Sequence, residues 1–212
     1  MDVERSRRLY RRNAPVYDLV ARAFEAIRTA AIASLEARPG ETVLDLGCGT
    51  GLSFGPLEAC VGEEGRIIGI DQSPEMLARA ERRVSHSGWR NVRLIAANAV
   101  EAQLPPASVD AVLCCLAHDL ATSRRAMQAA TSALRDGGRF VIAGIKLRSG
   151  RFNTLPNGVL RVTARLGVTA RLTDRPWSAL EAVLGRLEVT GLWGGFAYVA
   201  AGVKARQHGR CD

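Results

Sequence analysis

Gly47, Gly49 and Gly51 stand at alternate positions directly after the apolar run Val43-Leu44-Asp45-Leu46. A strand that ends in such a loop can turn sharply and let a ligand approach its backbone without a Cβ in the way. Asp71 follows the apolar run Arg66–Ile70, 24 residues beyond Gly47. A carboxylate at that distance can accept hydrogen bonds from both hydroxyls of a ribose. The loop does not spell out a diphosphate cradle. A dinucleotide fingerprint needs a third glycine where Leu52 stands, and a P-loop needs Gly-Lys-Ser/Thr where the chain has Gly51-Leu52-Ser53. Asp45 adds a negative charge just ahead of the loop, which would repel a pyrophosphate and suit an ammonium group. Those signs fit a ligand with adenosine at one end and a zwitterionic amino acid at the other, as in S-adenosylmethionine.

At these residues the chain resembles the class I S-adenosylmethionine-dependent methyltransferases, in particular the branch of ubiquinone/menaquinone-type and phosphatidylethanolamine-type enzymes. Asp45–Gly51 is similar to that family's first motif and Asp71-Gln72-Ser73-Pro74-Glu75-Met76-Leu77 to its second, and the resemblance runs from about Tyr10 to Lys204. It implies that Asp45, Gly47, Cys48, Gly49 and Gly51 line the methionine and ribose portions. It implies further that Asp71 binds the ribose hydroxyls and that Gln72 and Met76 flank the adenine. Asn98, followed by Ala99, stands where the family usually has an acid that accepts from the adenine amino group; its carbonyl is an uncharged substitute. Asn13–Asp18 resembles the aromatic–acid motif of an N-terminal helix that closes over the methionine end, so Tyr10 and Tyr17, with Cys115, complete the implied cofactor set. The implied reaction moves a methyl group to a small-molecule or lipid-like acceptor, leaves S-adenosylhomocysteine and needs no metal.

Methyl transfer from a sulfonium is an in-line displacement, and the protein contributes mainly alignment and exclusion of water. A general base is required only when the acceptor carries a proton. His118, after Cys114-Cys115-Leu116-Ala117, sits where the sheet's carboxyl ends face an acceptor. It is a candidate base for a hydroxyl or carbon acid, with Asp119 beside it to orient the ring; the plainer reading is a helix cap or pocket wall. Tyr17 is a second catalytic candidate, as a contact to the sulfonium or a gate. Cys114 and Cys115 read as strand packing, because a cytosine-C5-type nucleophile is usually preceded by proline and here Leu113 precedes.

These residues need a scaffold that brings the ends of several strands together. Thr42–Leu46, Arg66–Ile70, Val92–Ala96, Ala111–Leu116 and Arg139–Gly144 read as buried strands separated by helical patterns. Ser73-Pro74-Glu75 opens one helix with an N-cap and a first-turn proline. Thr122–Leu134 reads as another, stopped by Asp136-Gly137-Gly138. The alternation makes a parallel sheet covered on both faces. Leu187–Leu192 and Phe196–Lys204 add two terminal strands. The expected fold is therefore α/β, Rossmann-like, with a seven-stranded, mostly parallel sheet, a reversed last strand and helices on both faces. A single domain spans 1–204, with a helical cover at 1–37, a lid or substrate insertion at 146–178 and a tail at 205–212. Within the insertion, Val159–Leu166 is a short amphipathic piece.

Composition narrows the classes further. With 47% hydrophobic and 24% charged residues the 212-residue chain can bury a core. No apolar run approaches the roughly 20 residues of a membrane span. Five cysteines, an odd number without zinc spacing, and an opening without a secretory pattern give the expectation of a cytoplasmic protein with reduced thiols. The net charge of +8 is local: residues 1–12 carry +3, residues 146–175 carry +6, and residues 13–145 carry −2. The segment 146–175 suits an anionic amphiphile or peripheral contact with a membrane surface, while the reading preferred for its amphipathic piece is a cover over a hydrophobic small-molecule pocket with the arginines outward. The basicity also raises an RNA methyltransferase as an alternative. Scarce aromatics, no appended RNA module and no Asn/Asp-Pro-Pro-aromatic motif speak against nucleic acid as the partner. An NAD-dependent oxidoreductase is the alternative from another class, disfavoured by the missing third glycine, and a non-catalytic binder that kept the fold is the last.

Overall fold

The computed structural model describes residues 24–147 and 172–206. Tyr10, Tyr17, the Asn13–Asp18 motif, the Val159–Leu166 segment and Cys211 lie outside them. Seven strands form one sheet: β1 (Thr42–Leu46), β2 (Arg66–Asp71), β3 (Val92–Ala96), β4 (Val109–Cys115), β5 (Leu134–Ile145), β6 (Glu188–Leu192) and β7 (Ala197–Val203). Their spatial order is β3-β2-β1-β4-β5-β7-β6. Strands β1 to β5 run parallel, while β7 is antiparallel to both β5 and β6. The strand order reverses between β1 and β4, and there the carboxyl ends open a crevice.

Alternation along each central strand divides the core in two. Val43, Ile67, Ala111, Leu113, Val141 and Ala143 face one side, under α1 (Glu25–Leu35), α2 (Phe54–Val61) and α3 (Pro74–Ser87). Leu44, Leu46, Val112, Cys114, Phe140, Ile142 and Tyr198 face the other, under α5 (Arg124–Ala133) and α6 (Ser178–Leu184). Burial on both faces is why these strands read as nearly unbroken apolar runs.

The local signals act as their chemistry dictates. The Ser73 hydroxyl accepts from the Met76 amide at 3.4 Å with Pro74 in the first turn, and Gly88 closes α3 in the left-handed region. The helix expected over Thr122–Leu134 is present as α5, preceded by a separate short helix. A one-turn α4 (His118–Ala121) is closed by the Thr122 hydroxyl, which donates to the His118 carbonyl at 3.0 Å. Ser123 then caps α5 by accepting from Ala126. Asp136-Gly137-Gly138 is no helix stop. It lies within β5, which begins at Leu134 opposite Val109, and Gly137 and Gly138 exchange backbone hydrogen bonds with Lys204 of the tail of β7. The pairing of β5 with its neighbours outcompetes the local turn preference. The helix after the glycine loop starts at Phe54, whose amide closes a turn onto the Gly51 carbonyl.

Candidate functional site

The crevice at the reversal of strand order is a pocket lined by Gly47, Gly49, Ile70, Asp71, Gln72, Ser73, Met76, Ala97, Ala99 and the run Cys115–Leu120. Three strand ends supply it, β1, β2 and β4, together with the turn after β3. The glycine loop is bolted to β2: the Gly47 and Cys48 amides both donate to the Ile70 carbonyl, at 2.8 and 3.0 Å. Gly47 has a φ of +77°, and a Cβ there would stand 2.8 Å from Ala117 Cβ and 3.0 Å from Leu120 Cδ1. Glycine is thus required both for the turn and for the close approach of the β4–α4 connection.

Asp71 holds the centre. Its Oδ2 accepts from the Gly49 amide at 2.9 Å and its Oδ1 from the Ser73 amide at 2.8 Å. The carboxylate therefore ties the glycine loop to the start of α3 and still has lone pairs for further hydrogen-bond donors. Burial pushes its pKa up, opposed by the amides of Ser73, Gly49 and Gln72.

Asp45, at the end of β1, is buried beneath the loop. Burial drives its carboxyl up to about 7; the Arg28 guanidinium pulls it down, the neighbouring Asp71 charge pushes it up, and a hydrogen bond from Ser53 pulls it down. Oδ2 of Asp45 has no hydrogen-bond partner. Arg28 projects from α1 and is itself buried, with 9% of its surface exposed. The sequence reading did not single out Arg28. The signal was available: a charged residue in register with Phe24 and Ile32, four positions away on either side, in the apolar stripe of a helix.

Four of the five buried side-chain atoms left without a partner among the described residues belong to the central crevice or its surroundings: Asp45 Oδ2, Gln72 Oε1, His118 Nδ1 and Tyr198 Oη. Buried polar atoms are normally paired, and of these four residues Gln72 and His118 line the pocket itself, where a polar ligand can complete their bonding. Gln72, Met76, Ala97 and Ala99 line the pocket with Asp71, whose carbonyl accepts from the Ala97 amide at 3.1 Å.

Other expected residues are placed differently. Asn98 is not among the lining residues, and its Oδ1 accepts from the Val100 amide at 3.0 Å, closing a turn. The backbone on either side of Asn98, rather than its side chain, therefore faces the pocket. Cys48 points away from the cavity toward Gly69 and Phe54 in the core. Asp45 and Gly51 shape the loop from behind. Cys115 lines the pocket; burial pushes its thiol up to about 12 against the pull of Arg28, with Asp45 adding to the rise. Burial raises Cys114 as well. Both stay protonated at neutral pH and are poor nucleophiles.

His118 opens α4 and is buried at the pocket's edge. Burial lowers its pKa to about 4, so the imidazole is neutral at pH 7. Burial is the cause of that shift, and Asp119 lines the same pocket. Leu116, two residues earlier, is held at a φ of +61°, and its amide donates to the Ala143 carbonyl at 2.8 Å. A leucine in the left-handed region is strained by roughly 1–2 kcal/mol. Here the strain lies in the pocket wall and turns β4 sharply into α4. Among the described residues no group of His, Cys, Asp and Glu is arranged to hold a metal ion, and no helix is long and apolar enough to cross a membrane.

Comparison with known proteins agrees with this geometry. A family model described as a methyltransferase domain matches residues 37–164. The chain is 33% identical over 118 residues to aklanonic acid methyltransferase DauC of Streptomyces sp. (strain C5), covering 55% of this chain and 54% of that protein. It is 34% identical over 113 residues to demethylmenaquinone methyltransferase of Symbiobacterium thermophilum, covering 52% and 45%. The chain thus spans about half the length of these two curated relatives. Among solved structures, a SAM dependent methyltransferase from Aquifex aeolicus superposes with a TM-score of 0.66 at 19% identity, over 84% of this chain and 89% of that one. The Haemonchus contortus phosphoethanolamine N-methyltransferase 2 bound to S-adenosyl-L-methionine gives 0.68 at 15% identity, over 84% and 52%. At such identities these two likenesses speak to the fold alone.

Proposed function

From the chain's membership of the class I S-adenosylmethionine-dependent methyltransferases, we propose that it transfers the methyl group of S-adenosylmethionine to a small-molecule or lipid-like acceptor. The observation that carries this reading is Asp71. Both its oxygens are pre-oriented by backbone amides at the mouth of β2, facing a pocket lined by a glycine loop in which a side chain at Gly47 would clash with Ala117 and Leu120. A diol is the natural ligand for such a carboxylate. Gln72, Met76 and the backbone of Ala97 and Ala99 would hold the adenine, and Asp45 lends negative charge to the ammonium end. The bound sulfonium would supply an electrophilic methyl carbon. The chain's own residues align it and exclude water.

Two features of the site support an acceptor whose attacking atom carries a proton, a hydroxyl or a carbon acid. His118 is neutral and lines the pocket, and the thiols beside it are held protonated. The excess of +6 over residues 146–175 supports an anionic or membrane-borne form of the acceptor.

Calorimetry with S-adenosylmethionine, S-adenosylhomocysteine and NAD tests the reading. The two adenosyl compounds bind at micromolar strength, and Asp71→Ala abolishes binding. Tight NAD binding with neither adenosyl compound bound overturns it.

A further inference from the structure

Two of the orphaned atoms, His118 Nδ1 and Tyr198 Oη, are not part of the cofactor cradle. They meet over one residue. A Cβ at Gly144 would stand 2.6 Å from His118 Cε1, 3.0 Å from His118 Nδ1 and 3.6 Å from Tyr198 Cε1. Gly144 and Tyr198 are direct partners across the antiparallel β5–β7 pair. The imidazole therefore occupies the space that a side chain at Gly144 would fill, and its Nδ1 edge turns toward the sheet on the side where the phenol lies. Tyr198 is completely buried, packed at 5.2 Å between ring centroids against Trp177. Its hydroxyl is buried without a hydrogen-bond partner, and burial, with the nearby thiols, keeps the phenol from ionising.

Building on the methyl-transfer reading, we propose that Tyr198 is a positioning residue for His118: its hydroxyl takes the hydrogen of Nδ1, which leaves Nε2 as the nitrogen presented to the methyl acceptor. The base role sets the direction of this link: Nε2 must be free to accept the acceptor's proton, so Nδ1 carries the hydrogen and the phenol oxygen accepts it. Which nitrogen of a histidine is free is fixed by the bond the other one makes. His118 Nδ1 and Tyr198 Oη are not directly bonded in the structure, so a small turn of the imidazole or one bridging water closes the link.

The step balances simply. The acceptor atom bonds to the methyl carbon, the carbon–sulfur electron pair remains on sulfur as a neutral thioether, and the acceptor's proton passes to Nε2. The imidazolium so formed is held by Tyr198 through Nδ1 and loses its proton to solvent. Sequence adjacency nominates Asp119 as the residue that orients His118; the fold nominates Tyr198, 80 positions away.

The test uses the full chain labelled with ¹⁵N-histidine. There are three histidines, and the His118→Gln variant identifies the signal of the third. Long-range proton–nitrogen spectra of the wild type are expected to show the Nδ1–H tautomer of His118. Tyr198→Phe, which keeps the ring and removes only the hydroxyl, is expected to shift the signal toward the Nε2–H tautomer. Binding of S-adenosylhomocysteine should change by less than twofold. A wild type already in the Nε2–H form overturns the proposal, whether or not Tyr198→Phe folds. So does a folded Tyr198→Phe with the tautomer unchanged. Failure of the wild type to bind S-adenosylhomocysteine instead overturns the methyl-transfer reading on which the proposal rests.

Discussion

Asp45→Asn should make the ligand-free protein more stable at pH 8 and a weaker binder of S-adenosylhomocysteine. In the folded chain the carboxyl titrates at about 7 instead of 3.8. Between those values the native state holds a proton that the unfolded chain has lost, so stability falls as pH rises through the window. The difference of about three units corresponds to about 4 kcal/mol at pH 8, the cost of an ionised carboxylate beneath the loop with one oxygen unpaired. Asparagine removes that term but leaves an amide N–H₂ without an acceptor, which costs about 1–3 kcal/mol. The net gain is therefore on the order of 1–3 kcal/mol at pH 8, and it vanishes or reverses at pH 4.5, where Asp45 is already neutral.

A second group makes the pH dependence more discriminating. His118 is lowered from 6.5 to about 4, so between those values the unfolded chain binds the extra proton and stability falls as pH drops. The two slopes have opposite sign over nearly the same window and largely cancel in the wild type. Asp45→Asn unmasks the histidine: its stability should climb by up to about 3 kcal/mol from pH 4 to pH 7. Urea unfolding at half-unit pH intervals on both proteins, without ligand, reads the difference directly. A difference between variant and wild type that stays constant from pH 4.5 to pH 8 refutes the buried-carboxyl reasoning. Binding completes the picture, because an ammonium placed near Asp45 draws its proton off; loss of the charge should weaken S-adenosylhomocysteine about tenfold.

Three other perturbations follow from the same geometry. His118→Gln should do the reverse of Asp45→Asn, leaving the carboxyl's slope uncovered, so that stability declines between pH 5 and pH 7 in the same unfolding series. Gly47→Ala combines a φ of +77° with a Cβ 2.8 Å from Ala117, and should lower stability by about 2–4 kcal/mol, with S-adenosylhomocysteine binding lost in calorimetry. Leu116→Gly relieves the left-handed strain and should leave stability within about 1 kcal/mol of the wild type while loosening the start of α4, visible as faster amide hydrogen exchange at Leu120 and Ala121.

The parts of this architecture that were legible in the sequence are those written in local chemistry. The central strand β1, buried on both faces and apolar but for Asp45 and Thr42, could be bounded to the residue; the edge strand β3 was bounded as well by its apolar run, and β2 to within one. The cap Ser73-Pro74 and the alternate glycines are short-range signals that depend on neither partner nor register. The misreadings came where pairing overrode such signals. Gly137-Gly138 is a good helix stop in isolation, yet Leu134 finds Val109, and the backbone of Gly137 and Gly138 finds Lys204, so the chain continues as strand.

The site divides along the same line. Asp71 and the loop lie within one crossover of each other and announce themselves by spacing. Arg28 near Asp45 and Tyr198 near His118 are joined only because the sheet places α1 against β4, β5 and β7, and β7 next to β5. No sequence spacing encodes either relation. Gly144 makes the point most sharply. In the sequence it is an unremarked residue near the end of a strand. In the fold its missing side chain is the space into which the imidazole fits, and Gly144→Ala should therefore act on His118 rather than on β5. A methyl group 2.6 Å from Cε1 must drive the ring outward into the pocket and toward water. That exposure should raise the His118 pKa from about 4 toward 6.5, read by histidine ¹⁵N titration, with the sheet intact by circular dichroism. A Gly144→Ala protein in which His118 still titrates near 4 would mean that the imidazole does not owe its burial to the gap at Gly144.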